Sequence, residues 1–401
     1  MVTDKDEARK MMLTGNSAAA YGAKLARAEV IPVYPITPQT TAMEKIIELI
    51  RDGELDAEYL PMESEHSVMA AAIAAEATGA RVFTASSSQG IAYMHENLFV
   101  ASGLRLPIVA ALVNRCIGPP ISIFPDHSDS LDQRDTGWIQ IYVEDAQEVV
   151  DTIIQGYRVA EHMDVLLPVF VCYEGLIISH FLEPVELPEQ GLVDEFLPTY
   201  DPRHVLLSPK KVMHLSVAVN DHYFMEYRYQ QQEAMENART VISRVDEEFG
   251  ETFGRSYGGL FQSYRMDDAE VAVVSMGSLS GLVRMAVDEL RNEAVPIGGL
   301  KLRVFRPFPS QELQERTRGL KLLIVFDRDA SIGMGGILFA EIAAALYPLE
   351  TRTPIASYII GLGGRTVTLK DLKALIRKAI VQSDKGALDG ASRWVGVRGL
   401  E

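Results

Sequence analysis

The sequence predicts an α/β protein, a doubly wound parallel sheet followed by a second, smaller α/β unit. Three observations support this. Strand-like runs such as "LPIVAALVN" (106–114) and "LLPVFVCY" (166–173) alternate with helical stretches through short connections, the order that builds a parallel sheet. Those runs are continuously apolar, so both of their faces must be covered by helices. Finally, 401 residues exceed one ordinary core and suggest two or three domains.

The elements follow in order. "GNSAAAYGAKLARAE" (15–29) reads as a helix with Asn16 and Ser17 at its cap. "VIPVYPITP" (30–38) is a short strand broken by three prolines, and "QTTAMEKIIELIRDG" (39–53) a helix with a threonine cap, an apolar stripe of Met43, Ile46, Ile47 and Ile50, and a stop at Gly53. The grammar repeats: strand "AEYLPM", an alanine-rich helix from Glu63 to Thr78 that reads as buried, strand "RVFTASSS", one helix over "QGIAYMHENLFVASG", and strand "LPIVAALVN". After an irregular Gly- and Pro-rich segment (117–137), an amphipathic helix from Ala146 and the strand "LLPVFVCY" complete the first unit. Residues 183–215 read as an extended surface crossing, and a long polar helix (229–254) as a solvated or interdomain face. The second unit begins near Asp267, with one strand over "IGGLKLRVFRPFP" (297–309) and a strand-to-helix loop at "DRDASIGMGG" (327–336). The division is thus 1–240, a connection over 241–266, and 267–401.

Composition narrows the function. With 38 basic against 55 acidic residues the formal net charge is -17, and the basic residues are scattered, so nucleic acid and anionic membrane are poor partners. A few local arginines in a closed pocket can still hold a small anion. Cys116 and Cys172, each within an apolar strand-like segment, belong to no CxxC. Alone they can hold neither an iron-sulfur cluster nor a structural zinc, and small core residues in a reducing cytosol are the simpler reading. "MVTDKDEARKMM" has no apolar leader core, and no apolar stretch reaches about 18 residues without charge or proline. A soluble cytoplasmic protein is expected.

Ligands of open parallel sheets bind beyond the carboxyl ends of the strands. Four loops qualify, Pro35–Thr41, Glu63–Ser67, Thr84–Gly90 and Asn114–Asp135, all facing one edge. Thr37 stands between Pro35 and Pro38, a rigid setting for one hydroxyl, although a Pro-rich turn beside a helix cap is the commoner meaning of such a loop. Glu63 and Glu65 open the alanine-rich helix, where complementing the helix dipole explains a carboxylate most simply. The alanines themselves imply close approach of another surface. A carboxylate excluded from water there calls for a ligand with an N–H or a protonatable ring nitrogen. "TASSSQG" sets Ser86, Ser87, Ser88 and Gln89 at a strand end before Gly90; helix N-terminal donors can bind an anion, but the glycine spacing is not that of a dinucleotide site. Arg115 can grip a carboxylate with its planar fork, or form a surface salt bridge just as readily. "DHSDSLDQRD" (126–135) is oxygen-rich around His127, yet no second histidine stands at ligand spacing, so hydrogen-bonded loop structure is preferred and no metal is assigned. "DRDASIGMGG" reads as a tight turn.

Taken together, "YPITPQT", "ESEH", "TASSSQG", "VNR", "DHSD", "RDTGWIQ", "FRPFP" and "DRDASIGMGG" resemble, in order and spacing along nearly the whole chain, the α subunit of the 2-oxoacid:ferredoxin oxidoreductases. The resemblance implies a pyrimidine-type thiamine-diphosphate-binding domain over residues 1 to about 240 and a transketolase C-terminal-like domain over 267–401. It also implies a β subunit supplying the Mg and diphosphate ligands, in agreement with the lack of a GDG-type motif here. Clusters would lie on a ferredoxin-like δ subunit, a γ subunit would complete the complex, coenzyme A would take the acyl group, and ferredoxin or another acceptor the electrons. By the same resemblance Glu65 is the cofactor-activating glutamate that pairs with the aminopyrimidine N1′. Thr37 and Arg115 hold the oxoacid, and Pro35, Ser88 and Gln89 line the cofactor. Pyruvate is the first expectation; branched, aryl or dicarboxylic oxoacids stay open, with Phe124 and Pro125 in the variable stretch beside the pocket. A catalytically silent scaffold is the alternative from another class.

Overall fold

The computed structural model describes residues 9–202, 207–210, 212, 214–215, 218–350 and 352–399. Its first part runs β1 (Arg9–Leu13), α1 (Gly15–Leu25), β2 (Val30–Val33), α2 (Thr40–Arg51), β3 (Glu58–Pro61), α3 (Glu65–Glu76), β4 (Phe83–Ser86), α4 (Ser88–Tyr93), α5 (His95–Gly103), β5 (Val109–Asn114), α6 (Ser128–Leu131), β6 (Ile139–Tyr142), α7 (Ala146–Ala160), β7 (Val169–Glu174), β8 (Glu183–Leu187), α8 (Gln190–Phe196) and α9 (Phe224–Phe253). Its second part runs β9 (Phe261–Tyr264), β10 (Val271–Ser275), α10 (Leu279–Asn292), β11 (Ile297–Leu302), β12 (Val304–Arg306), α11 (Ser310–Thr317), β13 (Leu322–Asp327), α12 (Ile337–Leu346), β14 (Ile355–Ile359), α13 (Leu369–Asp384) and β15 (Ser392–Trp394).

The order β12-β6-β7-β5-β4 forms the first sheet, parallel except for β12. A single parallel bridge between Val30 and Val82 leads on to the parallel pair β2-β3. The second sheet has the order β15-β14-β13-β10-β11-β9, parallel except for β9. Every residue of β5, β7 and β13 is buried, the covering on both faces that their apolar sequences demand. Trp138 stacks on Phe170 at 4.0 Å between ring centres and donates its indole N–H to the Leu98 carbonyl at 3.0 Å, so the largest core side chain is also satisfied as a donor.

Several local expectations change. The cap of α1 is Thr14, whose hydroxyl accepts the Ser17 N–H, rather than Asn16 or Ser17. Helix α2 starts after Gln39 with no side-chain cap bond, and its buried stripe is Ala42, Met43, Ile46 and Leu49, with Ile47 turned to solvent. Helix α3 begins at Glu65 with Ser64 as its cap, so Glu63 stands outside it. Ala70 and Ala74 are exposed, because none of the described residues covers that face of the run that reads as buried. The segment 89–103 breaks into α4 and α5 at Met94, and the segment 117–137 contains α6. β6 lies unpredicted in the first sheet. Within 183–215, β8 pairs with β1 and α8 follows, while 203–206, 211 and 213 lie outside the described residues. Cys116 lies just past β5 rather than inside a strand; Cys172 is within β7.

Helix α9 is polar outwardly but buries Gln231, Ala234, Ala238, Val241, Ile242, Val245 and Phe249 along one stripe. It ends at Gly254, left-handed at φ 73°, a conformation glycine adopts without steric cost.

Candidate active site

The parallel register brings the carboxyl ends of β2, β3, β4 and β5 to one edge, and the loops beyond them meet. The β2–α2 loop is fixed from beneath. Asn16 donates to the Pro38 carbonyl and the Thr41 hydroxyl, both at 2.7 Å, and receives the Tyr173 hydroxyl at 2.9 Å. Gln39, fully buried, donates to the Ala85 carbonyl at 2.8 Å. Thr37 and Pro35 are left exposed on this anchored loop. The Thr37 carbonyl accepts Arg115 Nη1 at 2.6 Å, and Arg115 Nη2 donates to Gln89 Oε1. Three of the predicted residues, from three loops, are therefore joined by one guanidinium. Arg115 is 8% exposed and its Nε has no partner among the described residues, so the fork is held in place with donor capacity to spare. Among the described residues Arg115 forms no salt bridge: its partners are a carbonyl and an amide.

The β4–α4 turn supplies the rest. Ser88 has φ 49°, uncommon for a residue with a side chain, and its hydroxyl bonds the Cys116 carbonyl at 2.7 Å and Gln89 Oε1 at 2.5 Å. Ser86 and Ser87 are buried with hydroxyls that have no partner among the described residues. Gly90 faces Glu65 across this turn: a Cβ there would lie 2.6 Å from Glu65 Oε1 and 2.5 Å from Ser86 Oγ. Glu65 is 8% exposed at the first position of α3, and no side-chain hydrogen bond reaches its carboxylate among the described residues. A near-buried carboxylate with unspent acceptor capacity, beside orphaned hydroxyls, suits a ligand that brings its own N–H donors.

Sequence reasoning missed two acids here. Asp129, in the loop read only as hydrogen-bonded structure, is fully buried and accepts four N–H groups; burial pushes its carboxyl up to about 7 despite those bonds. Glu174, at the end of β7, receives His127 Nε2 at 3.2 Å, Arg328 Nη1 at 3.4 Å and the Ser278 N–H at 3.0 Å. Burial alone would raise its carboxyl, but His127 and Arg328 outweigh it and hold it below the ordinary range. Asp129 is the last residue of "DHSD", which marked the loop without giving this acid a role, and Glu174 lies in no quoted motif. The "DRDASIGMGG" turn is as read: Ser331 and Gly335 bridge, and Asp327 accepts the first N–H groups of α12 from Leu338 and Phe339. Among the described residues no group of three or more His, Cys, Asp or Glu is arranged to hold a metal.

The description "Pyruvate flavodoxin/ferredoxin oxidoreductase, thiamine diP-bdg" matches residues 21–247, and "Pyruvate:ferredoxin oxidoreductase core domain II" matches residues 269–372. The chain belongs to the pyruvate:ferredoxin oxidoreductase family. Within the family it is 48% identical to pyruvate synthase subunit PorA of Methanocaldococcus jannaschii, over 96% of this chain and 98% of that one. It is 46% identical to ketoisovalerate oxidoreductase subunit VorA of Pyrococcus horikoshii, over 96% and 97%. Among solved structures it resembles the 2-oxoglutarate:ferredoxin oxidoreductase from Magnetococcus marinus (TM-score 0.69, 19% identity), covering 92% of this chain and 65% of that one. It also resembles a split gene transketolase (TM-score 0.53, 12% identity, 91% and 98% covered). These two likenesses concern the fold: a thiamine-diphosphate-binding unit followed by a transketolase C-terminal-like unit. Among the described residues no helix is long and apolar enough to cross a membrane.

Proposed function

We propose that this chain is the α subunit of a 2-oxoacid oxidoreductase complex that decarboxylates pyruvate and passes the acyl group to coenzyme A. The units would be residues 1–240 and 267–401, joined through 241–266. The carrying observation is the open, nearly buried Glu65 carboxylate set against Gly90, the residue next to Gln89 of the Arg115–Gln89–Thr37 cluster.

The residues fit thiamine diphosphate. Glu65 would accept the ring N–H of its aminopyrimidine, Gly90 sets no side chain against the carboxylate, and Ser88, Gln89 and Pro35 would line the approach. When bound, that cofactor supplies the electron sink for loss of carbon dioxide from a 2-oxoacid. The protein's own part is then to hold a proton at Glu65, to fix the substrate carboxylate on Arg115 and the Thr37 hydroxyl, and to exclude water. Arg115 is suited to this because its guanidinium plane is already clamped, so little side-chain entropy is lost on binding. The Mg and diphosphate ligands would come from a β subunit and the iron-sulfur clusters from a ferredoxin-like δ subunit, with γ completing the assembly and ferredoxin or a related acceptor taking the electrons. The two cysteines, 116 and 172, are buried and separate, consistent with clusters carried elsewhere.

A branched-chain substrate is the second reading. The similarity to the VorA chain, 46%, nearly equals that to the PorA chain, 48%. Whole-chain identity therefore does not choose between the two oxoacids.

In the assembled complex Glu65→Gln should retain bound thiamine diphosphate and lower kcat in coenzyme-A-dependent dye reduction by about 10²- to 10⁴-fold, the usual worth of a positioned proton-transfer group. Near-normal turnover would remove Glu65 from the role. A panel of pyruvate, 3-methyl-2-oxobutanoate, phenylglyoxylate and 2-oxoglutarate with the native complex ranks the substrates.

A further inference from the structure

We propose that Asp129 is the positioning residue that locks the two halves of the oxoacid-binding cluster into register. Asp129 stands in α6, in the loop after β5, and is 0% exposed. Its Oδ2 accepts the backbone N–H of Ser88 at 2.8 Å and that of Arg115 at 2.9 Å. Its Oδ1 accepts Asn114 Nδ2 at 2.8 Å and the Ser130 N–H at 2.9 Å. A single oxygen thus ties the β4–α4 turn to the end of β5. Those are the two segments that carry Gln89 and Arg115, whose side chains bond each other above it.

Backbone geometry points the same way. Ser88, the residue that Oδ2 holds, has φ 49°, a conformation that persists in a non-glycine residue only where surrounding contacts over-determine it. Asp129 is one such contact; the Ser88 hydroxyl on the Cys116 carbonyl is another. Without the carboxylate the turn can relax toward ordinary φ. Gln89 would then move off Arg115, and the guanidinium would lose one of the two partners that orient it. Tyr142 and Cys172 lie near the same buried carboxylate, so no solvent is at hand to replace the lost acceptor, and its partners would pay the desolvation penalty.

Asparagine cannot take over this role. Donors face both oxygens of Asp129, so either orientation of an amide sets an NH₂ group against N–H donors. Asp129→Asn in the assembled complex should therefore raise KM for the 2-oxoacid at least about tenfold while kcat at saturation stays within about threefold, the signature of lost uniform binding. Thiamine diphosphate content, assayed on the same complex, should fall by no more than about twofold, because Glu65, the group that pairs with the cofactor ring, is not held by Asp129, although the lining residue Ser88 is. Asn114→Ala, which removes one donor from Oδ1 and leaves the charge, should raise KM by about two- to fivefold with kcat retained. This variant also decides the matter if D129N does not assemble. Ser130→Ala removes a hydroxyl that bonds Asn114, Tyr142 and the His127 carbonyl but leaves both Oδ2 bonds, and should leave KM within about twofold.

The inference rests on the reading of Arg115 as the oxoacid grip, and the outcomes separate the two. An unchanged KM in N114A and D129N, with wild-type turnover normal, overturns the role of Asp129 alone. Absence of 2-oxoacid turnover in the wild-type complex overturns the reading and the role together. A KM rise in S130A as large as that in N114A shows general loosening of the loop and also overturns it.

Discussion

A methyl group at position 90 would sit 2.6 Å from Glu65 Oε1 and 2.5 Å from Ser86 Oγ, distances at which something must move. The neighbours able to give way are the carboxylate and the hydroxyl. Gly90→Ala should therefore displace Glu65 without unfolding the protein, and a displacement of about 1 Å can cost about 10²-fold in rate. The expected result is a kcat lowered by about 10- to 100-fold with an intact thermal melt; wild-type kcat would show that the carboxylate has more room than the structure gives it. Glu65, Thr37 and Arg115 were legible in the sequence because each belongs to a quoted motif. Gly90 closes the quoted "TASSSQG", but nothing there signals its part, which lies in what faces it from α3, 25 positions earlier in the chain. Asp129 stands in the quoted "DHSD", yet its part was hidden, because its four donors come from three segments that only the fold brings together.

At the scale of elements, "IGGLKLRVFRPFP" is an uninterrupted apolar and basic run, yet it serves two sheets. The switch occurs at Arg303. Its N–H bonds the Leu260 carbonyl beside β9, while its carbonyl accepts the Tyr142 N–H of β6. The side chain, 0% exposed, donates Nε to Glu148 at 2.9 Å, Nη1 to the Gly259 carbonyl at 3.1 Å, and Nη2 to Thr152 and Gln155 at 3.0 Å each. Lys301 bonds the same Glu148. β12 and this ionic cluster couple the two units far more tightly than a linker would. Removing one member of a buried charge pair costs about 3 kcal/mol or more, so Arg303→Ala should lower the denaturant midpoint accordingly. A midpoint within experimental error of wild type would mean the units are not coupled here. The break at Met94 between α4 and α5 had no signal either, for no glycine or proline marks it; Met94 has φ -90° and ψ 1°.

For the whole molecule, buried acids set the response to pH. Burial lifts Asp327 and Asp329 from 3.8 to about 7 each. In the folded chain these groups hold protons that the unfolded chain releases near 3.8, so folding is favoured by their protonation below that value. The contribution is lost as pH rises through about 7. Glu174 acts in the opposite sense, its stabilisation lost as pH falls through its lowered value, which lies outside this window. The net charge of -17 adds self-repulsion that also grows with deprotonation. The melting temperature of the isolated chain should therefore be higher at about pH 6 than at about pH 8, and a flat or rising profile toward pH 8 would contradict this burial. By itself the sequence determined the α/β class, the two units in series and the loops that carry the proposed site, because apolar periodicity and strand-end position are local properties of a chain. Only the tertiary structure decided which acids are buried together, where a strand changes sheet and what clamps Arg115, because each depends on groups far apart in sequence that share a place only after folding.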